Sequence, residues 1–256
     1  MMTPHRLPRV KKRAPRALPS APRARSRAPR ALVTGGAIRV GRAIALALAR
    51  AGMDVAIGYH RSARQARLTV RDIEACGVRG AALRSDLADP RAARRLVRES
   101  ARVLGGLDVL VNSAAVFDRT PLAATTPAQY DRLLDVNLRG VFFACQAAAA
   151  VMPRGGHIVN IGDVGAERGW PSYIPYTISK AGVAALTRGL AAALRRRGIA
   201  VNCVAPGAVL RPVGFPLARW KTVKRGHEVG PDDVAAAVLF FTTCPLNVTG
   251  QTLTVD

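Results

Sequence analysis

From residue 31 onward, short runs rich in Val, Ile and Leu alternate with longer segments rich in Ala, Leu and Arg. This alternation is typical of repeated βαβ units, in which parallel strands form one sheet and the helices between them cover its faces. It therefore predicts an α/β fold, a doubly wound parallel sheet of about seven strands in a single domain. The predicted strands are residues 31–34, 54–59, 79–84, 108–111, 157–161, 199–204 and 252–255.

The positive charge of the chain is concentrated near its N-terminus. The 256 residues include 39 Lys+Arg and 16 Asp+Glu, a formal net charge of +23, and residues 1–30 hold ten of the basic residues, six prolines and no acid. Such a segment has too little apolar surface to fold by burial. We therefore expect residues 1–30 to be a disordered Arg/Pro-rich extension before a catalytic domain at 31–256. The remaining basic excess is scattered along helices, so nucleic-acid binding is not expected.

The sequence carries no recognisable targeting signal or metal-binding motif. Prolines and arginines interrupt the first 30 residues, which excludes both an amphipathic transit peptide and the apolar stretch of a secretory signal. No run approaches the roughly 20 uninterrupted apolar residues of a membrane span. Four cysteines lack the paired spacing of a metal site or redox motif: Cys76, Cys145, Cys203 and Cys244. We expect a cytoplasmic protein with reduced, buried cysteines, no bound metal and no membrane association.

A glycine-rich turn, TGGAIRVG at residues 34–41, follows the first predicted strand and precedes a helix predicted at 42–50. Glycines let the backbone approach a pyrophosphate, and the helix N-terminus offers free N–H groups and a positive dipole end. This context predicts a Rossmann-type dinucleotide site. Its contacts would be Gly35, Arg39, Val40 and Gly41; the alternative is a simple tight turn.

The end of the second predicted strand indicates which dinucleotide is bound. Here the chain reads His60-Arg61-Ser62, with no acid where an NAD enzyme places one to hold the ribose 2′-hydroxyl. These side chains can instead bind a 2′-phosphate by charge-assisted hydrogen bonds. The cofactor is therefore predicted to be NADPH, unless Arg61 only caps or solvates the next helix.

Asp86 and Leu87 follow the third predicted strand. This position places Asp86 near the adenine ring of a bound dinucleotide. Asp is also a frequent N-cap, so Asp86 could instead cap the helix that starts near Pro90.

Tyr176 and Lys180 are four residues apart, so on a helix they share one face. A Lys⁺ beside a tyrosine favours the phenolate, and we expect the pKa of Tyr176 to be lowered toward the working pH. The phenol could then donate a proton to a substrate that is being reduced. The spacing alone also suits an ordinary surface helix, so this interpretation depends on the glycine-rich turn upstream.

In combination, these motifs resemble the short-chain dehydrogenase/reductase family over residues 31–256. The resemblance implies that Tyr176 donates the proton, that Lys180 also holds the nicotinamide ribose and that Asn137 orders a proton-relay water. Further cofactor contacts implied by the resemblance are Asn112 and Ala114 after the fourth strand, and Pro206, Gly207 and Val209 after the sixth. Relatives are commonly homotetramers, so a homotetramer or a homodimer is expected, with the long helices at 127–152 and 172–197 between subunits.

Three positions depart from the mainstream pattern of that family. Asp163 lies thirteen residues before Tyr176, where a substrate-binding Ser is usual, Arg39 replaces the middle glycine of the turn, and Phe117 follows the fourth strand. These departures resemble the pteridine reductase branch, where the matching Arg lies near cofactor phosphate and substrate and the matching Phe stacks the pterin over the nicotinamide. The implied substrate contacts are Arg39, Phe117, Asp163 and Tyr176.

Asp163 favours reduction of a C=N bond over reduction of a ketone. Reducing a ketone builds negative charge on oxygen, which an adjacent carboxylate opposes. Reducing C=N requires a proton at nitrogen, which a carboxyl group of raised pKa can supply through Tyr176 or a water. The predicted small-molecule substrate is therefore a dihydropterin. If Asp163 only bonds local backbone, the alternative is a reductase of 3-oxoacyl thioesters or small ketones; a third hypothesis is a non-catalytic NADPH-binding or nucleic-acid-binding protein.

Overall fold

The computed structural model describes residues 27–224, 226 and 229–256. Most of the extension predicted to be disordered therefore lies outside the described residues. Seven parallel strands form one sheet in the order β3-β2-β1-β4-β5-β6-β7. The strands are β1 Arg30–Thr34, β2 Asp54–Tyr59, β3 Gly80–Arg84, β4 Val109–Asn112, β5 His157–Ile161, β6 Ala200–Pro206 and β7 Thr252–Val255. The predicted doubly wound sheet is confirmed, and each predicted strand matches one of these.

Helices cover both faces of the sheet. They are α1 Arg39–Arg50, α2 Ala63–Glu74, α3 Pro90–Leu104, α4 Pro127–Leu134, α5 Gly140–Val151, α6 Gly165–Arg168, α7 Ile174–Leu194, α8 Leu217–Lys224 and α9 Pro231–Thr243. Helices α1 and α9 pack on one face of the sheet, and α3 and α5 pack on the other. The order of strands along the chain reverses between the neighbours β1 and β4, which creates a crevice at their carboxyl ends.

The strands are apolar throughout because both of their faces are covered. In β1, Ala31 and Val33 pack into the core beneath α1 and α9, whereas Leu32 packs into the core on the α3 and α5 side, and all three are fully buried. Successive side chains of a strand point to opposite faces, so a parallel sheet needs an unbroken apolar run.

The domain begins earlier than residue 31. Arg30 is the first residue of β1, and its guanidinium pairs with Asp108, with Nε 2.7 Å from Oδ2. The carbonyl of Pro29 accepts a hydrogen bond from the Asp54 amide, and the Arg27 side chain donates to the carbonyl of Gly105. Residues 27–30 are therefore attached to the domain.

Two helices differ from their predicted limits. Helix α1 begins at Arg39, three residues before the predicted start. The helix predicted at 127–152 is divided by a π-helical turn at Asp135–Arg139. Such a turn holds one residue more than an α-helical turn and is often found at functional sites.

One helical stretch among the described residues, Pro127–Val151, is long and apolar enough to cross a membrane by length and composition alone. Its mean hydropathy is 1.2, and the buried Ala144 and Ala148 of α5 pack into the core beside α3. A core helix passes the same test, so the stretch is weak evidence for a span.

Three of the four cysteines are buried, as expected. Cys76 is exposed because it lies in the turn that follows α2, so the prediction is wrong for this residue. Burial raises the pKa of the Cys145 thiol to about 12.

Candidate active site

A cavity of about 1550 Å³ opens at the carboxyl ends of the strands, where the strand order reverses. Pockets for one small ligand usually measure about 300–1,000 Å³, so this cavity has room for a dinucleotide and a substrate together. Of the residues predicted to contact cofactor or substrate, the cavity is lined by Gly35, Arg39, Val40, Gly41, His60, Arg61, Ser62, Asp86, Leu87, Ala114, Phe117, Asp163, Tyr176, Lys180, Pro206, Gly207 and Val209. Asn112 and Asn137 do not line it.

The glycine-rich turn is packed too closely for side chains at Gly35, Gly36 and Gly41. A Cβ atom at Gly41 would lie 2.2 Å from the carbonyl oxygen of Gly35, and one at Gly35 would lie 2.8 Å from the Cα of Ala114. Thr34 holds the turn that follows β4, since its Oγ1 accepts hydrogen bonds from the amides of Ser113 and Ala114, each 3.1 Å away.

The N-terminus of α1 faces this cavity, and within the described residues it has no side-chain cap. Ile38 occupies the N-cap without a side-chain hydrogen bond, and the first turn of the helix contains no acid. The first amides of a helix lack partners within it and carry the positive end of its dipole. This end of α1 is therefore suited to hold an anion such as a pyrophosphate.

The residues after β2 lie at one end of the cavity. Arg61 is exposed, and no ion pair with it occurs within the described part of the chain. Ser62 is the N-cap of α2 but makes no capping hydrogen bond. Neither side chain is thus engaged in capping α2, which leaves both available to a phosphate.

Asp86 does not cap α3, so that alternative is wrong. The cap is Asp89, whose Oδ1 accepts a hydrogen bond from the Arg91 amide at 2.8 Å. Asp86 instead bonds the amide of Ala88 and lines the cavity, with its Oδ2 3.7 Å from His60 Nε2.

Tyr176, Asp163 and Lys180 meet at the carboxyl end of β5. The Tyr176 hydroxyl donates to Asp163 Oδ2 at 2.6 Å, and the other carboxylate oxygen accepts from the amide of Gly165 at 2.7 Å. Asp163 therefore bonds both the local backbone and the tyrosine. Lys180 Nζ donates to the carbonyl of Ile161 at 2.8 Å and lies 5.8 Å from the centre of the Tyr176 ring.

This geometry reverses the expected shift of the tyrosine. Burial raises the pKa of Tyr176 well above its usual value, and the charge and hydrogen bond of Asp163 raise it further. Burial also raises the pKa of Asp163 and lowers the pKa of Lys180. The predicted lowering is wrong, first because burial disfavours the phenolate and second because Asp163, and not Lys180, contacts the phenolic oxygen. The phenol consequently remains protonated.

Asn137 connects two parts of the site from behind the cavity. Its Oδ1 accepts from the amide of Val116 at 2.8 Å, while its Nδ2 donates to the carbonyl of Val116 at 2.9 Å and to Ser179 Oγ at 3.2 Å. The side chain therefore joins the segment after β4 to the helix that carries Tyr176. This buried position gives Asn137 a positioning role, and its ordering of a proton-relay water stays a prediction.

The side chain of Asn112 also points away from the cavity and is bonded within the protein, so its predicted cofactor contact stays a prediction. Its Nδ2 donates to Asn160 Oδ1 at 2.9 Å, and Asn160 in turn donates to Thr187 of α7 at 3.0 Å. These buried groups connect β4, β5 and α7.

Aromatic rings surround Tyr176: Phe117, which was predicted from the sequence, and Trp170 and Tyr173, which were not. Phe117 stacks on Tyr173 with ring centres 4.5 Å apart and meets the Tyr176 ring edge-on at 4.7 Å. Trp170 lies nearly parallel to Tyr176, at 6.2 Å. Aromatic residues make up only 5% of the chain. The presence of Trp170, Tyr173 and Tyr176 within seven positions was therefore the feature of the sequence that indicated an aromatic cluster here.

The chain is similar to known proteins over nearly the whole domain. The family model described as enoyl-(acyl carrier protein) reductase matches residues 36–256. The 3-oxoacyl-(acyl-carrier-protein) reductase FabG of Staphylococcus aureus is 35% identical over 243 residues, which span 88% of this chain and 96% of the relative.

Two solved structures carry a bound nucleotide. A short chain dehydrogenase from Burkholderia cenocepacia in complex with NADP is 40% identical, with a TM-score of 0.84, over 89% of this chain and 96% of the other. A blue fluorescent protein from a metagenomic library in complex with NADPH is 38% identical, with the same TM-score and the same coverage of both chains.

Proposed function

This chain belongs to the short-chain dehydrogenase/reductase family, and on that premise we propose that it is an NADPH-dependent reductase of carbonyl compounds, with 3-oxoacyl thioesters as the substrate class. The observation that carries the proposal is the similarity to a 3-oxoacyl-(acyl-carrier-protein) reductase over 96% of that relative. The position of Tyr176, Lys180 and Asp163 in one cavity supports it further. The substrate first expected, a dihydropterin, takes second place because the relatives described above are not pteridine reductases.

The cofactor is NADPH, and the described residues fit it. The uncapped N-terminus of α1 and the three glycines of the turn that exclude a Cβ form a backbone surface for a pyrophosphate. Arg61 and Ser62 offer cationic and hydroxyl donors to a 2′-phosphate. NADPH, when bound, supplies the hydride.

Tyr176 supplies the proton. Burial keeps its phenol protonated, so the hydroxyl can donate to the oxygen of a substrate that enters the cavity. The ammonium of Lys180, fixed on the carbonyl of Ile161, keeps a positive charge close to the phenol as the proton leaves.

Asp163 is compatible with this chemistry because burial raises its pKa. A carboxyl group that is kept neutral by an apolar site can donate a hydrogen bond to a developing oxyanion, as a hydroxyl does. Asp163 in its neutral form would therefore replace the Ser that is usual in the family.

A second candidate function is the reduction of a C=N bond, as in a dihydropterin. The favouring observation is the 2.6 Å hydrogen bond from Tyr176 to Asp163. Two acidic groups that share a proton can deliver it to nitrogen, where no negative charge needs to be stabilised.

Both candidates can be tested in one assay that follows NADPH oxidation by absorbance. The purified protein is supplied with acetoacetyl thioester, small diketones, dihydrobiopterin or dihydrofolate, and NADH replaces NADPH as the cofactor control. Turnover of the thioester or the ketones supports the proposed function. Turnover restricted to the pterins overturns it in favour of the second candidate.

Asp163→Ser distinguishes the two roles of the carboxyl group. We expect thioester turnover to change by no more than about threefold, whereas dihydropterin turnover falls about tenfold or more, since a general acid contributes about 10²–10⁴-fold. NADPH binding, measured by nucleotide fluorescence, is expected to be unchanged. A loss of thioester turnover as large as the loss with pterin would contradict the assigned role.

Arg61→Ala is expected to raise the KM for NADPH about tenfold or more and to leave the KM for NADH unchanged, because a hydrogen bond to a charged group contributes about 1.5–3 kcal/mol. Steady-state kinetics with both nucleotides measure this difference. Arg64→Ala is the matched control, since Arg64 is exposed on α2 outside the cavity. Equal losses for both nucleotides would place Arg61 away from the 2′-phosphate.

A further inference from the structure

Arg39 has a backbone conformation that does not suit its side chain. Its φ is 56°, and every other positive φ in the described residues belongs to a glycine. The left-handed region brings the Cβ of an L-residue against its own backbone, so this conformation costs free energy that glycine does not lose. An arginine at this position therefore needs a compensating interaction.

The compensating interaction crosses the cavity. Arg39 Nη2 donates to the carbonyl oxygens of Leu210 and Arg211, each 3.1 Å away. Both acceptors belong to residues 207–216, the segment between β6 and α8, which contributes several residues to the cavity wall. We call residues 207–216 the lid segment.

The lid segment has few other attachments near these two carbonyls. Val213 is 94% exposed, and Arg211 donates to the carbonyl of Phe215 within the same segment. Lys224 holds one end through the carbonyl of Ala208, at 2.9 Å. Arg39 is thus the contact that joins the middle of the lid segment to the glycine-rich turn.

We propose that Arg39 is a positioning residue that fastens the lid segment across the substrate part of the cavity and thereby determines substrate affinity. The substrate part of this inference rests on the proposed function. A guanidinium has five N–H donors, and the two hydrogens of Nη2 point at the lid carbonyls. When the lid segment is unfastened, only the closed fraction binds substrate, so the apparent affinity falls in proportion.

Arg39→Gly tests the proposal because it removes the two hydrogen bonds to the lid segment and, with them, the unfavourable backbone conformation of Arg39. Relief of the left-handed backbone by glycine offsets part of the loss of the two hydrogen bonds, so we expect the melting temperature to change by less than about 2 °C. Loss of the two hydrogen bonds is expected to speed amide exchange in residues 207–216 and to raise the KM for thioester about fivefold to tenfold.

The matched control is Arg42→Gly, in the same helix but outside the cavity lining. Glycine in a helix interior is expected to lower the melting temperature by about 2–4 °C and to leave exchange in the lid segment unchanged. Unchanged lid exchange in Arg39→Gly would overturn the proposal. Faster exchange with an unchanged KM would overturn the link to substrate affinity.

Exchange and melting are both measured without substrate, which separates this inference from the proposed function. If no carbonyl compound is turned over but the lid segment of Arg39→Gly exchanges faster, the fastening role is supported and the proposed function alone fails.

Discussion

Tyr176→Phe is expected to lower kcat for carbonyl reduction by about 10²–10⁴-fold, the range contributed by a positioned proton donor. The substitution removes only the hydroxyl, which donates to Asp163 at 2.6 Å, and leaves the ring in contact with Phe117 and Trp170. NADPH affinity is therefore expected to change little. Single-turnover kinetics with saturating NADPH measure the loss in the chemical step.

Tyr130→Phe is the matched control for this experiment. Tyr130 is 42% exposed on α4 and does not line the cavity, so its loss of a hydroxyl is expected to leave kcat unchanged. If Tyr176→Phe retains more than about a tenth of the original kcat, the phenol is not the main proton donor, and Asp163 acting through a water becomes the stronger assignment.

Gly41→Ala is expected to weaken NADPH binding by about 10–100-fold, because overpacking a closely packed site costs about 1–3 kcal/mol. The new Cβ would lie 2.2 Å from the carbonyl oxygen of Gly35, so the glycine-rich turn must move away from the N-terminus of α1. Fluorescence titration with NADPH measures the change in affinity.

Gly189→Ala supplies the comparison, since an added Cβ meets no atom within 4 Å at this helical glycine. The variant is expected to bind NADPH normally and to be more stable by about 0.5–1 kcal/mol, the difference between Ala and Gly in a helix. Normal NADPH binding by Gly41→Ala would show that the turn adapts, and the assigned role of its close packing would then be incorrect.

The sequence predicted the sheet well because buried parallel strands leave an unmistakable pattern. Runs such as Ala31-Leu32-Val33 are apolar at every position, since each successive side chain enters a different core. The glycine-rich turn was equally visible, because its glycines stand directly between a strand and a helix and because Gly41 is required by a contact only six residues away, with Gly35.

Side-chain directions at the site were harder to predict. Asn112 and Asn137 follow the family pattern, yet both are held by partners behind the cavity that come from distant segments. The pKa shift of Tyr176 was predicted in the wrong direction. Helical spacing indicated Lys180, whereas the burial of the phenol and its contact with Asp163 arise only in the folded chain. The spacing of residues along the sequence predicts neighbours on one helix, but long-range packing determines which charged group lies nearest to the Tyr176 hydroxyl.

One missed feature was available in the sequence. Asp89 directly precedes Pro90, and proline is favoured at the first position of a helix, so Asp89 was a better N-cap candidate than Asp86. The crowding of aromatic residues at 170–176 was visible too, but the packing of Trp170 and Phe117 on Tyr176 was not, because it depends on the conformation of two loops.

The all-parallel sheet also constrains how the chain acquires its fold. The central pair of strands joins Ala31 to Val109, and β2 and β3 lie between them in the chain. Contacts that are so distant in sequence form only after a large loss of chain entropy, which makes folding slow compared with a helical bundle. During synthesis, β1 must wait for β4 to leave the ribosome. Its edge facing β4 stays unpaired in the interval, and an unpaired strand edge can pair with another chain, so rapid production of the protein would favour aggregation of nascent chains.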